Sequence, residues 1–261
     1  MMGENLKLEL KYYNQVEIWD NYISNQQEIN RARETLKFIP ASVESVLDIG
    51  CGNGTLTNLI NRQLVVGLDF ARIPLNSVKG NAIQASIDAL PIKSKKFDLV
   101  LLTEVLEHLQ DDLYARAIKD IQRLDAEYLL ITVPFNENLS IGLCKCELCG
   151  HLFNTSHHYR SFNENWFNFA FPKYRLEKID YASYRCPENE MLISLRQKLG
   201  VYSQSNTSVC NKCGGRPIPP KQLVRYMLGG LNLVDHYFKN LAKIKRPYHQ
   251  IVLLKNSIES A

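Results

Sequence analysis

Val46-Leu-Asp-Ile-Gly-Cys-Gly-Asn-Gly54 joins an apolar run carrying one carboxylate to three glycines at alternate positions, and a helical pattern (Leu56, Leu59, Ile60) follows at once. Such a run predicts a buried strand entering a tight turn and then a helix N-terminus. Glycine is required where φ turns positive or where a ligand must approach the main chain closely. The spacing is G-x-G-x-G and departs from the dinucleotide fingerprint G-x-G-x-x-G, which weakens a pyrophosphate reading. Asp48 at the strand end favours a cationic or amine-bearing ligand.

Further motifs follow in order. Val65-Val-Gly-Leu-Asp69 reads as a second strand ending in an acid, placed to accept ribose hydroxyls. Asp88-Ala89-Leu-Pro91, Phe97-Asp98-Leu-Val-Leu-Leu102 and Glu104-Val-Leu-Glu-His-Leu109 come next. Together these resemble class I S-adenosylmethionine-dependent methyltransferases, over about residues 43–135 and most closely in the ubiquinone-biosynthesis-like (type 11) branch. The resemblance implies a Rossmann-like α/β fold: a seven-stranded, mostly parallel sheet with its last strand antiparallel and helices on both faces. It implies S-adenosylmethionine as cofactor, with Asp48, Gly50, Cys51, Gly52, Gly54, Asp69, Phe70, Asp88, Ala89 and Glu104 at its site. In the family the acid at the Asp88 position contacts the adenine amino group, and the glycine loop passes under the methionine part.

Strand patterns at about 44–49, 65–69, 82–86, 98–102 and 128–133 alternate with helical ones near 55–61, 73–79 and 112–124. A helix over 164–171, a sixth strand at 174–181 and a closing strand at 249–254 complete the sheet. Residues 1–40 carry helical stripes (Tyr12, Val16, Trp19, Ile23) and form an N-terminal helical lid, with Tyr12, Tyr13 and Trp19 as candidate lid residues. The core then comprises 41–135, 161–184 and 248–256. Residues 136–160 and 185–247 are excursions leaving the strand C-termini, where ligands bind in such sheets.

The excursions hold Cys146-Glu-Leu-Cys149-Gly and Cys210-Asn-Lys-Cys213-Gly, among seven cysteines in all. Two C-x-x-C-G knuckles can complete a tetrahedral thiolate site, so a structural zinc stapling both excursions into a cap is expected. Cys144 is an alternative to Cys146, while Cys51 and Cys186 read as ordinary thiols. Between Met191 and Lys255 eleven Lys/Arg face a single acid, Asp235, an asymmetry suited to an anionic partner. Residues 221–244 carry an amphipathic stripe whose ordinary reading is core packing or a substrate lid. Peripheral membrane contact is the other reading. No apolar run approaches the ~18 residues of a membrane span, and Met-Met-Gly-Glu-Asn is no signal peptide, so a cytoplasmic protein is expected.

The resulting expectation is methyl transfer to a small-molecule or glycan-type acceptor, at a hydroxyl and without nucleic acid. Glu104 and His108, four apart, are expected on one side, and His108 or His158 is the candidate general base. Glu104, Glu107 and His108 with a later histidine also match the set with which small-RNA terminal 2′-O-methyltransferases hold a divalent metal. A metal-dependent RNA 2′-O-methyltransferase is therefore one alternative, and a non-catalytic zinc-stapled binding module on the same fold is another.

Overall fold

The computed structural model describes residues 4–19, 26–203, 205–219 and 233–257. Seven strands form one sheet: β1 (Ser45–Ile49), β2 (Leu64–Asp69), β3 (Asn81–Gln84), β4 (Leu99–Thr103), β5 (Tyr128–Pro134), β8 (Tyr174–Arg185) and β9 (Arg246–Asn256). Their order is β3-β2-β1-β4-β5-β9-β8. The pairs from β3 to β5 are parallel, and β9 runs antiparallel to both β5 and β8. This is the seven-stranded, mostly parallel sheet with an antiparallel last strand that the resemblance implies.

The central strands read as unbroken apolar runs because both faces are covered. On one face Leu47, Ile49, Val100, Leu102, Leu129 and Ile131 meet Ala117, Ile118 and Ile121 of the helix Asp111–Leu124. On the other face Val46, Leu99, Leu101, Leu130 and Ile251 meet Ala32 of the helix Gln26–Leu36, together with Phe38 and Val43. Asp98 ties the edge opposite the site: its carboxylate accepts the N–H groups of Glu44 and Ser45 at 2.9 and 2.8 Å.

Two expected helices shrink. The segment 55–61 forms a single 3-10 turn, Thr57–Leu59, because β2 resumes at Leu64 and leaves no room for more. The segment 73–79 is one turn, Arg72–Leu75. The N-terminal 40 residues divide between two neighbours. The helix Glu4–Tyr13 sits against the cap, with Lys11 Nζ donating to the Gly214 carbonyl at 3.3 Å, whereas Gln26–Leu36 packs on the sheet.

Past β5 the chain makes a small hairpin, β6 (Leu143–Lys145) with β7 (Leu152–Asn154). Of the stripe expected over 221–244, residues 221–232 lie outside the described ones, and 233–241 are helical. Leu233, Val234, Tyr237, Phe238 and Leu241 are all exposed, so this part is not packed into the core. Among the described residues, no helix is long and apolar enough to cross a membrane.

Candidate active site and metal centre

The parallel strands deliver their C-termini to one edge, and a cavity opens there against the glycine loop. Gly50 and Gly52 have φ of +73° and +53°, and a Cβ on either would collide with Val105 or Trp19. Val105 and Trp19 therefore close directly onto the loop backbone, which only glycine allows. Asp69 ends β2 and anchors the loop, accepting from Gly52 N–H at 2.9 Å and Ala71 N–H at 2.8 Å. Gly54 also has positive φ (+76°) but does not line the cavity; a Cβ there would press on Asn58.

Asp48, expected at the cofactor site, is fully buried beneath the loop and does not itself line the cavity. One carboxylate oxygen accepts the Thr57 hydroxyl at 2.5 Å, and the other has no partner. Burial pushes Asp48 up to about 7 and Asp69 up to about 6. A buried carboxylate with an orphaned oxygen favours a cation beside it. Cys51, Asn53, Leu68, Phe70, Ala85, Ser86 and Ile87 continue the wall, and Tyr13 and Trp19 reach in from the N-terminal segment. Tyr13 packs edge-on to Phe70 and to His108. Tyr12, grouped with these lid residues by sequence, instead stacks on His157 at 4.1 Å.

Asp88 and Ala89 depart from their expected place. Arg116 on the helix behind takes the Asp88 carboxylate at 2.9 Å, and Ser86 takes its other oxygen. Neither Asp88 nor Ala89 lines the cavity; Ala85, Ser86 and Ile87 hold that corner. The charge-assisted pair with Arg116 keeps the acid turned away.

After β4, Glu104 adopts φ +56° and turns its carboxylate back over the sheet edge. It accepts from the Thr132 hydroxyl at 2.8 Å and pairs with His249 at 3.1 Å and Arg31 at 3.7 Å. Burial opposes its charge, but His249 and Arg31 outweigh burial and hold the carboxyl well below the usual range. Glu107 has the opposite surroundings. It is fully buried, and neither carboxylate oxygen has a hydrogen-bond partner. Burial, reinforced by the Glu104 charge, pushes its carboxyl well above the usual range.

His108 and His158 meet with ring centroids 4.7 Å apart. His108 lines the cavity, its Nδ1 is buried without a partner, and burial with His158 alongside lowers its pKa well below the usual value. His158 Nδ1 contacts the Glu137 carboxylate at 2.6 Å. The ligand atoms of Glu107, His108 and His158 all lie within 4.8 Å of one another. Glu104 and His108 both face the cavity, as their spacing predicts, but Glu104 is committed elsewhere and does not join that group.

The four knuckle cysteines converge. Sγ of Cys146 lies 3.4 Å from that of Cys213, Cys149 lies 3.8 Å from Cys210, and all four are within 4.8 Å. The edge of a tetrahedron with Zn–S of about 2.3 Å is about 3.8 Å, so the donor set and its spacing fit a thiolate-bound zinc. Cys144 stays outside, with Sγ turned to the Phe153 carbonyl. Backbone bonds from Glu147 to Arg216 and from Ile218 to Lys145 lace the two excursions together.

Sequence reasoning passes over Glu9, Arg31, Glu137 and His249. Glu9 lines the cavity, and its carboxylate takes His157 at 2.8 Å and the Tyr159 hydroxyl at 2.7 Å. His157 Nε2 also reaches the Val209 carbonyl, joining the N-terminal helix to the second excursion. None of these four lies in a motif; each is placed by tertiary contact alone.

A family profile described as a methyltransferase domain matches residues 22–192. The ubiquinone biosynthesis O-methyltransferase of Bartonella quintana is 34% identical over 90 residues, 30% of this chain and 36% of that protein. An uncharacterised protein of Methanocaldococcus jannaschii is 40% identical over 96 residues, 36% of this chain and 41% of that one. The chain thus spans well under half the length of the curated relatives it matches. Among solved structures, a SAM-dependent methyltransferase from Archaeoglobus fulgidus aligns with TM-score 0.52 at 16% identity, covering 92% of this chain and 99% of that one. The N-methyltransferase NodS of Bradyrhizobium japonicum, solved with S-adenosyl-L-homocysteine, aligns at 0.51 and 12% identity, covering 94% and 99%. These two likenesses concern the fold. With two thirds of its length under that profile and the sheet, glycine cradle and carboxylate pair in place, the chain belongs to the methyltransferase-domain family, on the fold of its S-adenosylmethionine-dependent members.

Proposed function

We propose that the chain moves a methyl group from S-adenosylmethionine to a hydroxyl of a small-molecule or glycan-type acceptor. The observation that carries the hydroxyl is His108, an imidazole at the cavity wall that burial holds neutral. The bound cofactor supplies a methyl group already activated on a sulfonium. Asp69 accepts the ribose hydroxyls, and the orphaned oxygen of Asp48 offers a negative charge to the cationic end. Tyr13 and Trp19 exclude water, and His108 removes the acceptor's proton, the group a hydroxyl must lose to become a nucleophile. Zinc on Cys146, Cys149, Cys210 and Cys213 is structural in this reading.

The acceptor is found by comparing metabolites and glycans from cells with and without the protein, seeking a species heavier by a methylene. On that acceptor His108→Ala is expected to lower turnover roughly 10²–10⁴-fold. Cofactor affinity by calorimetry should stay nearly constant. Full activity in both His108→Ala and His158→Ala overturns the base.

One observation favours a second reading. Glu107, His108 and His158 present three ligand atoms within 4.8 Å, and both Glu107 oxygens are otherwise unspent. A divalent cation held there would orient acceptor oxygens directly, as in the metal-dependent RNA 2′-O-methyltransferase alternative, although with three protein ligands in place of four. Manganese bound at this group should give an electron paramagnetic resonance signal that Glu107→Gln abolishes. Activity that survives a chelator too weak to strip the thiolate site rules this reading out.

A further inference from the structure

Behind His158 a second cleft of about 800 Å³ opens between the chain after β5 and the cap. Glu137 belongs to its wall while holding His158, and His158 in turn meets His108, which lines the cofactor cavity. Three guanidinium groups face it: Arg185 at the end of β8, Arg246 at the start of β9, and Arg196 on the helix Glu190–Lys198.

Arg185 and Arg246 are direct partners across the β8–β9 ladder. Like charges directly opposite in an antiparallel pair oppose folding. Glu188 and Glu190 also face the cleft, yet among the described residues no carboxylate comes within ion-pair distance of Arg185, Arg196 or Arg246. Arg185 is fixed instead by lying 3.4 Å over the Tyr248 ring. Two arginines at paired ladder positions, without a carboxylate, suit a phosphate group, which accepts paired N–H donors. The remaining wall is rich in neutral hydroxyl and amide groups, Asn136, Asn154, Tyr202 and Ser203 among them.

The geometry points to this cleft as the acceptor site, taking a phosphorylated, hydroxyl-rich small molecule of the sugar-phosphate kind. Arg185 and Arg246 bridge the phosphate, and a hydroxyl is presented towards His158 and His108. This assignment rests on the methyl-transfer reading above and names its substrate class.

The test is calorimetry on the full zinc-loaded chain, first with S-adenosylhomocysteine and then, in its presence, with inorganic pyrophosphate, glucose 1-phosphate and glucose. Pyrophosphate and glucose 1-phosphate are expected to bind and glucose to bind at least tenfold more weakly. The Arg185→Gln/Arg246→Gln double variant should lose phosphate binding at least tenfold while keeping its affinity for S-adenosylhomocysteine. Without ligand it should melt no lower than wild type, because a like-charge pair is gone; Arg246→Lys, which keeps the charge without the fork, should fall between. If S-adenosylhomocysteine binds but the phosphates do not, or if the double variant binds them as well as wild type does, the assignment is wrong. A short single-stranded RNA that binds tighter than glucose 1-phosphate with the same arginine dependence also overturns it, in favour of a nucleic-acid acceptor. Failure of S-adenosylhomocysteine to bind defeats the methyl-transfer reading instead.

Discussion

The cofactor cavity and the cap are built in opposite ways. In the cavity the motif residues are set by where a strand stops: Gly50 follows β1, Asp69 closes β2 and Glu104 follows β4. Hydrophobic burial of the sheet therefore positions the site whether or not a ligand is bound. The cap has little apolar core of its own, a cluster of Cys144, Cys146, Phe153 and Cys210. What draws residues 143–154 against 205–218 is four sulfur atoms and a few backbone bonds. One region is stable by packing, and the other carries four clustered thiols in place of a core.

The largest effect expected from that contrast follows loss of a thiolate ligand. Binding at structural zinc sites is worth roughly 10–16 kcal/mol in small peptides, and zinc on these four thiols would be coupled to folding of the cap. Cys213→Ser should release residues 185–247 to protease first, while the main melting transition of the sheet moves little. Equal early cleavage within 41–135 would show that cap and sheet are one cooperative unit.

Within the cavity the sharper measurement is pH. The folded-state pKa of Asp48 is raised, so the stability its neutral form confers is complete below about pH 4 and is lost as pH rises through about 7. Asp48→Asn keeps the neutral form throughout. Without cofactor the variant should be more stable than wild type at pH 8, by an amount on the order of a few kcal/mol, and nearly equal at pH 4. Thermal melts at both pH values, with no difference at pH 8, would count against a strained carboxylate.

A smaller effect concerns Asp69. Asp69→Ala removes a charged acceptor and should weaken cofactor binding by about 1.5–3 kcal/mol. In the wild-type chain the affinity should fall as pH drops through about 6, where Asp69 takes up a proton. Calorimetry that finds the pH dependence unchanged in the variant would place the titrating group elsewhere.

How much could be read beforehand follows the same division. The parallel strands, the glycine turn and Asp69 at the end of β2 were legible because contiguous residues fix them: an apolar run, a turn and an acid. The meeting of the four knuckle cysteines was legible because two C-x-x-C-G turns have a spacing of their own. Asp88 was misplaced because a side chain from another element, Arg116, claims it. Glu9, Glu137 and His249 were invisible because their roles exist only after residues far apart in the chain have met. His157 and His158 show the limit at its narrowest. Neighbours in sequence, one is clamped between Glu9 and Val209 with φ +57° while the next faces His108.

The insertion of β9 between β5 and β8 bears on how the chain is made. As synthesis proceeds, β5 ends at Pro134 and its open edge, apolar from Leu129 to Val133 but for Thr132, must wait for Arg246 onwards to emerge. An unpaired edge of that kind is a target for wrong partners on the ribosome. A zinc ion joining Cys146 to Cys213 would cut the free span between the two strands by more than half, lowering the entropic cost of closing it by roughly 0.6–1 kcal/mol. The metal would then serve the sheet during birth of the chain, as a clasp that brings the late strand home.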